Sequence, residues 1–359
     1  MKFRLLMGVA LVASLSFGTA VITTAEASVK PRPLGKIGFL MPCSTCAARF
    51  ETQDKPRFIE AVRKLDPKIQ VIANNAQGSE ATQINQAQDA IANGVKVLVV
   101  SPITTSAGVA IVNLAKRSHV QVISYDGLLT GAKVAFYVSF DNVKVGQLQG
   151  QYLASNLPAG STVVMINGDP TSTPGVQFKQ GALSALQPLF TSGKLKLGAS
   201  YDTPLWDPAT GTTEMQQALT SLNNQVQGVL SANDGLAGGI IAALRSQNLA
   251  GKVLVTGQDA SIAGLQDILL GTQSMTIFKP ILSEATVAAE VAVGLVKGTK
   301  NVIGKIAKTK VSNGAGQVPS VLLAATVVTK ANISIVAKDG GATWAQICTG
   351  IPASACPSH

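Results

Sequence analysis

The chain has 359 residues, of which 46% are apolar and 13% charged, with a net charge of +10. That length exceeds one ordinary core and suits two domains, and the apolar share excludes a disordered chain. The basic balance lacks the aromatic-interleaved patch or recognition helix that nucleic acid requires, so nucleic acid is not an expected partner.

The lysines between Lys297 and Lys310 read as a solvated face near a hinge. Any attraction they give toward an acidic membrane surface is unspecific.

Lys2 and Arg4 precede a short apolar run, Leu5–Phe17, and Ala25, Glu26 and Ala27 have the small-x-small form of a signal-peptidase site. These features predict an export signal cleaved after Ala27, and a periplasmic or secreted mature chain. The competing reading is an uncleaved anchor, for which the run is short. No cysteine stands at the cleavage point to carry a lipid.

In an oxidising compartment Cys43, Cys46, Cys348 and Cys356 can form disulfides. Four cysteines allow three pairings, and the spacing favours two local loops, Cys43 with Cys46 and Cys348 with Cys356. Cys43 and Cys46 also have redox spacing between a strand and a helix. An exported thiol-disulfide protein is therefore the alternative, although the remaining chain is unlike a small thioredoxin domain.

In chain order, a strand is expected at Lys36–Pro42 and a helix at Phe50–Leu65, ended by Asp66 and Pro67. Strand Ile69–Asn75 follows. The helix Ser79–Ala92 spaces Ala81, Ile84, Ala87 and Ile91 at helical period, with Gly94 just past its end. Strand Val95–Pro102, helix Ser106–Ser118 and strand Val120–Asp126 complete a parallel sheet with helices on both faces.

The pattern then restarts. Strands are expected at Tyr137–Asp141, Thr162–Asp169, Leu195–Tyr201, Val226–Ser231 and Val253–Gly257. Helices are expected at Val143–Asn156, Gln177–Phe190, Pro208–Asn223 and Leu236–Gln247. After strand Met275–Phe278 comes a long helix, Pro280–Lys297, apolar enough to be buried. A Gly/Lys-rich loop then leads to a strand at Leu322–Val328. The fold class is α/β, with two similar Rossmann-like lobes that close on a ligand by hinge bending.

Catalytic motifs are missing. There is no phosphate-binding glycine loop, no dinucleotide fingerprint after a strand, and no nucleophile elbow. His119 reads as a helix-terminal surface residue, and no His, Cys and carboxylate group has metal spacing. The chain is expected to be no enzyme and to carry no cofactor or metal. What remains is a polar set at strand ends: Arg49, Asp126, Asn233, Asp259 and Lys279. Ligands of open α/β sheets sit at those carboxyl ends. Acids, an amide and cations, each fixing one hydrogen-bond direction, suit sugar hydroxyls. Trp206 and Phe50 supply apolar platforms for a sugar ring. The structural alternative is that Asn233 and Asp259 cap helices and that Trp206 is core. Several such residues on one rim favour a site.

The segments 78–83, 137–146, 232–239, 256–260 and 275–280 carry a family likeness. Through them the chain resembles the periplasmic substrate-binding proteins of sugar ABC importers, with the type I fold. Within that group it is most similar to the D-xylose-binding branch, over about Lys36–Thr329. The resemblance implies lobes of 36–138 plus 280–322 and of 139–279 plus 323–344, joined by a three-segment hinge, with a C-terminal tail from 345 to 359. It implies a monosaccharide ligand in the interlobe cleft, xylose or a related pentose or aldose, delivered by a monomer to a membrane permease. A chemoreceptor is a further partner of such proteins. Carried over by position, Asn233, Asp259, Lys279, Trp206, Asp126 and the Arg49–Phe50 pair match the family's ligand residues. Gly127 stands where the branch has an arginine, and Thr173 lies near a lost asparagine, so both are candidate selectivity positions. The Cys43–Cys46 segment is an insertion near the first ligand loop.

Overall fold

The computed structural model describes residues 35–357. The expected export segment, with cleavage after Ala27, lies outside the described residues. The first part of the chain runs β1 (Gly35–Met41), a π-type turn (Phe50–Asp54), α1 (Lys55–Leu65), β2 (Ile69–Asn75), α2 (Glu80–Ala92), β3 (Val95–Val100), α3 (Thr105–Arg117), β4 (Gln121–Tyr125) and β5 (Phe136–Phe140). Next come α4 (Asn142–Asn156), β6 (Thr162–Asn167), α5 (Thr173–Thr191), β7 (Lys196–Asp202), α6 (Pro208–Ser221), β8 (Gly228–Ser231), α7 (Asp234–Ser246), β9 (Leu254–Val255), α8 (Ile262–Leu270) and β10 (Thr276–Phe278). The last stretch is α9 (Ile281–Val296), α10 (Val302–Ile306), β11 (Thr309–Ser312), β12 (Gln317–Leu323), β13 (Thr326–Val328), α11 (Ser334–Lys338) and α12 (Trp344–Cys348).

These strands form a seven-stranded sheet ordered β11-β12-β5-β4-β3-β1-β2, a four-stranded sheet ordered β7-β6-β8-β9, and the antiparallel pair β10-β13. The two larger sheets are parallel except at the β11-β12 edge. This is the expected α/β architecture, parallel sheets flanked by helices. The chain passes from the first sheet to the second after β5, returns after β10, and leaves again between β12 and β13.

Strands such as β3 and β5 are apolar runs buried on both faces, as parallel strands under helices must be. Helices start on short polar caps set at strand ends. Ser79, Thr104, Ser172, Asp207, Asn233 and Ser261 each accept a hydrogen bond from a first-turn N–H. Helix α9 packs on α1, β1 and β3. It brings Ala285, Ala288, Ala289 and Ala292 into one core with Phe39, Phe58 and Tyr125.

Three expectations change. The strand at Tyr137–Asp141, expected to open the second run, is β5 and pairs with β4 and β12 in the first sheet. The single strand at Leu322–Val328 is two strands, because the chain switches sheets at Ala324–Ala325. The basic loop after α9 contains α10 and β11. Lys308 and Lys310 lie exposed at or beside this sheet edge, where charge blocks edge-to-edge pairing. The C-terminal tail from 345 packs on α8. Ile347 is fully buried with Leu265, Ile268 and Leu269 of α8, and a disulfide joins Cys348 to Cys356.

Candidate ligand site

A cavity of about 220 Å³ lies between the carboxyl ends of the two larger sheets. One ordered water needs roughly 10–15 Å³ by the same measure, so there is room for a small organic molecule. Arg49, Phe50, Asp126 and Gly127 line it from the first sheet's side. Trp206, Asn233, Gln258 and Asp259 line it from the second, and Lys279 enters just after β10.

Arg49 is the electrostatic centre. It precedes the π-type turn and is 3% exposed. Its Nη2 donates to Asp54 at 2.7 Å and to Glu284 at 2.8 Å, its Nε to Asp54 at 3.0 Å, and its Nη1 to Asp126 at 2.9 Å. Asp259 Oδ1 lies 3.9 Å from Nη1. Lys279 Nζ sits 2.8 Å from Asp259 and 3.8 Å from Asp126. Two cations thus face four carboxyl groups in a nearly dry environment.

Burial disfavours the charged form of an ionisable group, and a neighbouring opposite charge favours it. For Asp126, burial pushes the carboxyl up, but Arg49 and Lys279 outweigh it and hold the group below the usual range. For Arg49, burial works against the charge, yet Asp126, Asp54 and Glu284 keep the guanidinium protonated far into the alkaline range. Glu284 goes the other way. Burial and the neighbouring carboxylates Asp126 and Asp54 raise its carboxyl well above normal despite Arg49.

Asp259 is presented by a loop with unusual backbone angles, φ 99° at Asp259 and 48° at Ala260. Such angles persist only where the surroundings enforce them. Asp259 N donates to Ile277 O, Ala260 N to Thr276 Oγ1, and Ser261 N to Asp234 Oδ2 at 2.8 Å. Asp234 is itself held by Gln273 and Thr276, at 2.8 and 2.7 Å. Gly257 and Gly264 leave space for its carboxyl, since a Cβ on either would collide with it.

Asn233 does two jobs. Its Oδ1 caps α7 by accepting from Leu236 N, and its Nδ2 donates to Cys46 O at 2.9 Å across the cleft. The capping reading and the site reading are therefore both present in one side chain. Phe50 is 5% exposed, with the Arg49 guanidinium 5.2 Å from its ring centre. Trp206 follows the same dual pattern. It lines the cavity, packs edge-on to Phe178 at 6.1 Å, and touches the cores of both sheets.

Of the two selectivity candidates, Gly127 lines the cavity and Thr173 does not. The Thr173 hydroxyl instead donates to Leu128 O at 2.8 Å, joining α5 to the loop after β4. Cys43 and Cys46 are bridged and form part of the wall, at 6% and 7% exposure. That is the setting of a structural bridge, with no thiolate offered to solvent.

Two site residues escaped sequence reasoning. Glu284 could have been found as the lone carboxylate on the buried face of an apolar helix. Gln258 stands beside Asp259, is 4% exposed, lines the cavity, and has an Oε1 with no hydrogen-bond partner. A buried unpaired amide is costly unless something fills the cavity beside it. Among the described residues no cluster of His, Cys, Asp and Glu could hold a metal ion.

Residues 37–300 match the model of the periplasmic binding protein domain. The chain is 39% identical to the D-xylose-binding periplasmic protein of Escherichia coli K12 over 80% of its own length and 86% of that protein's. It is 32% identical to the multiple sugar-binding periplasmic receptor ChvE of Rhizobium radiobacter, covering 72% of this chain and 78% of that one. Among solved structures, the carbohydrate transporter solute binding protein of Chloroflexus aurantiacus, in complex with D-glucose, superimposes with a TM-score of 0.79. It is 28% identical, covering 88% of this chain and 98% of that chain.

Proposed function

The chain belongs to the periplasmic binding protein domain family, and on that premise we propose that it is the substrate-binding protein of a sugar ABC importer. It works outside the cytoplasm, captures a monosaccharide (xylose or a related pentose or aldose) and hands it to a membrane permease. It does so as a monomer and performs no chemistry on the sugar. The lobes are the units built on the seven-stranded and four-stranded sheets, and the three chain crossings form the hinge. The chemoreceptor role remains attached to the same closed form, which is the surface a receptor would read.

One observation carries this reading. Arg49 and Lys279 meet the carboxyl groups of Asp126 and Asp259 at the cavity wall, with Asp54 and Glu284 buried behind Arg49 to fix its guanidinium. Sugar hydroxyls can donate to the two carboxylates and accept from Arg49 and Lys279 in return. Phe50, Phe178 and Trp206 line the same space and offer apolar faces to the C–H side of a ring. Polar groups placed in advance on rigid strand ends lose little entropy on binding.

Titration calorimetry tests it, using protein unfolded and refolded to strip endogenous sugar and a panel of pentoses, hexoses and polyols. Saturable heat with at least one aldose is expected. Silence across the whole panel would remove the sugar reading.

A further inference from the structure

The cavity is not uniformly polar. At Gly127 the nearest atoms an added Cβ would meet are carbons of Pro102, at 3.2 and 3.5 Å, and of Pro174, at 3.7 Å. All three residues line the cavity. They come from different parts of the fold: the loop after β3, the loop after β4, and the first turn of α5.

Backbone hydrogen-bond donors are used up in this corner. Pro102 and Pro174 have no backbone N–H. Gly127 N donates to Tyr125 O at 2.6 Å, and Ile103 N to Gln83 Oε1 at 3.1 Å. Two carbonyls beside it are engaged as well. Gly127 O takes the Ser124 hydroxyl at 2.6 Å, and Leu128 O takes the Thr173 hydroxyl at 2.8 Å.

The corner is also sealed. The Thr173–Leu128 bond joins the residues next to Pro174 and Gly127, and Thr105 N donates to Thr171 O at 3.3 Å just beyond Pro102. These two bonds stitch the lobes together directly beside the three apolar residues. A ligand hydroxyl pressed there would exchange water for carbon.

We propose that the ligand presents a methyl group to the Pro102–Gly127–Pro174 corner, which makes it a deoxy sugar of the 6-deoxyhexose class. The inference rests on the sugar-binding reading and refines it. Arg49, Asp126, Asp259 and Lys279 hold the hydroxylated side of the ring. The proline corner takes the end that carries no hydroxyl. Ser101, beside Pro102, has the one hydroxyl at this edge of the lining that makes no hydrogen bond among those described, and its backbone N–H and carbonyl are bonded to Leu40 and Gln83.

The test is calorimetry with matched pairs: L-fucose against L-galactose, L-rhamnose against L-mannose, and 6-deoxy-D-glucose against D-glucose. In at least one pair the deoxy sugar should bind about ten- to a hundredfold tighter, the range in which an apolar pocket rejects an added hydroxyl. Pro174→Ser, at a helix first turn that tolerates serine, should shrink that ratio to a few-fold by restoring an N–H and a hydroxyl. Pro102→Ser provides the same test should the first variant fail to fold. Parent hexoses binding as well as their deoxy partners overturns the inference while leaving sugar binding intact. A deoxy preference unchanged in both serine variants overturns the assignment to this corner. No heat with any of the six sugars or with pentoses defeats the sugar reading itself.

Discussion

Asn233 Nδ2 donates to Cys46 O at 2.9 Å, tying the first turn of α7 in one lobe to the disulfide segment of the other, 187 residues earlier. The contact links a helix cap to lobe closure. Asn233→Ala removes both. Loss of the cap should cost about 1 kcal/mol of stability, read by urea unfolding. Loss of the cross-cleft bond should expand the sugar-free protein, read as a larger radius of gyration by small-angle scattering. A radius equal to that of the parent would show that this bond does not hold the lobes.

Arg49 and Asp259 should separate on mutation. Arg49→Ala leaves Asp54, Glu284 and Asp126 without their shared cation, and breaking buried pairs this way costs roughly 3–5 kcal/mol. Asp259→Ala leaves Lys279 still 3.8 Å from Asp126, so the fold should survive while sugar affinity is lost. Thermal unfolding and calorimetry on both variants check the contrast. An Arg49→Ala protein as stable as Asp259→Ala would contradict the assigned roles.

Gln258→Leu tests the unpaired amide. Its Oε1 has no partner, and the residue lines the cavity. If the amide bonds a sugar hydroxyl, the leucine variant should lose about tenfold in affinity, from a lost hydrogen bond of roughly 1.5 kcal/mol. Its stability should stay level or rise, because an orphaned polar group has been removed. Equal affinity for the best sugar would take Gln258 out of the contact set.

Gly168→Ala should weaken binding without touching the ligand. A Cβ there would run into the Trp206 ring and push it out of place. Trp206 already sits at φ 56°, next to Leu205 at 55°, so the segment has little freedom to adapt. Trp206 fluorescence should shift in the variant. Affinity should fall toward that of Trp206→Ala, and parent-like values for both readouts would refute the coupling.

Asp234 predicts a pH dependence. Burial, reinforced by Asp259, lifts its carboxyl from 3.8 to about 7. Between those values the folded protein keeps a proton that the unfolded chain has released. Its contribution to stability is therefore complete at low pH, declines as pH rises toward about 7, and is flat above. At 1.36 kcal/mol per unit the effect is on the order of a few kcal/mol. Asp234→Asn should flatten the stability profile between pH 4 and 7, measured by urea titrations at several pH values. Parallel profiles for the two proteins would remove Asp234 as the titrating group.

The polar strand ends at Asn233, Asp259 and Lys279 were legible because they interrupt apolar runs. Trp206 and Phe50 stood out because aromatics are scarce in this chain. The family resemblance puts Thr173 near a lost asparagine, yet its hydroxyl turns to Leu128. Rotamer choice and a partner 45 residues away decided that, and neither leaves a mark in local sequence. Gln258 was passed over because an amide next to a carboxylate looks like an ordinary turn residue until burial strips it of water.

By itself the sequence determined the alternation of strands and helices, the presence of two such runs, and the kinds of polar group available at the rim. Those features are local: hydrophobic period, turn chemistry and side-chain type act within a few residues. Only the tertiary structure decided which charges meet. Arg49 bonds Glu284 across 235 positions because α9 returns to the first sheet, and the chain changes sheets at Ala324–Ala325 because β12 and β13 find different neighbours. Coulomb energy and burial depend on distance in space, and a linear pattern does not record that distance.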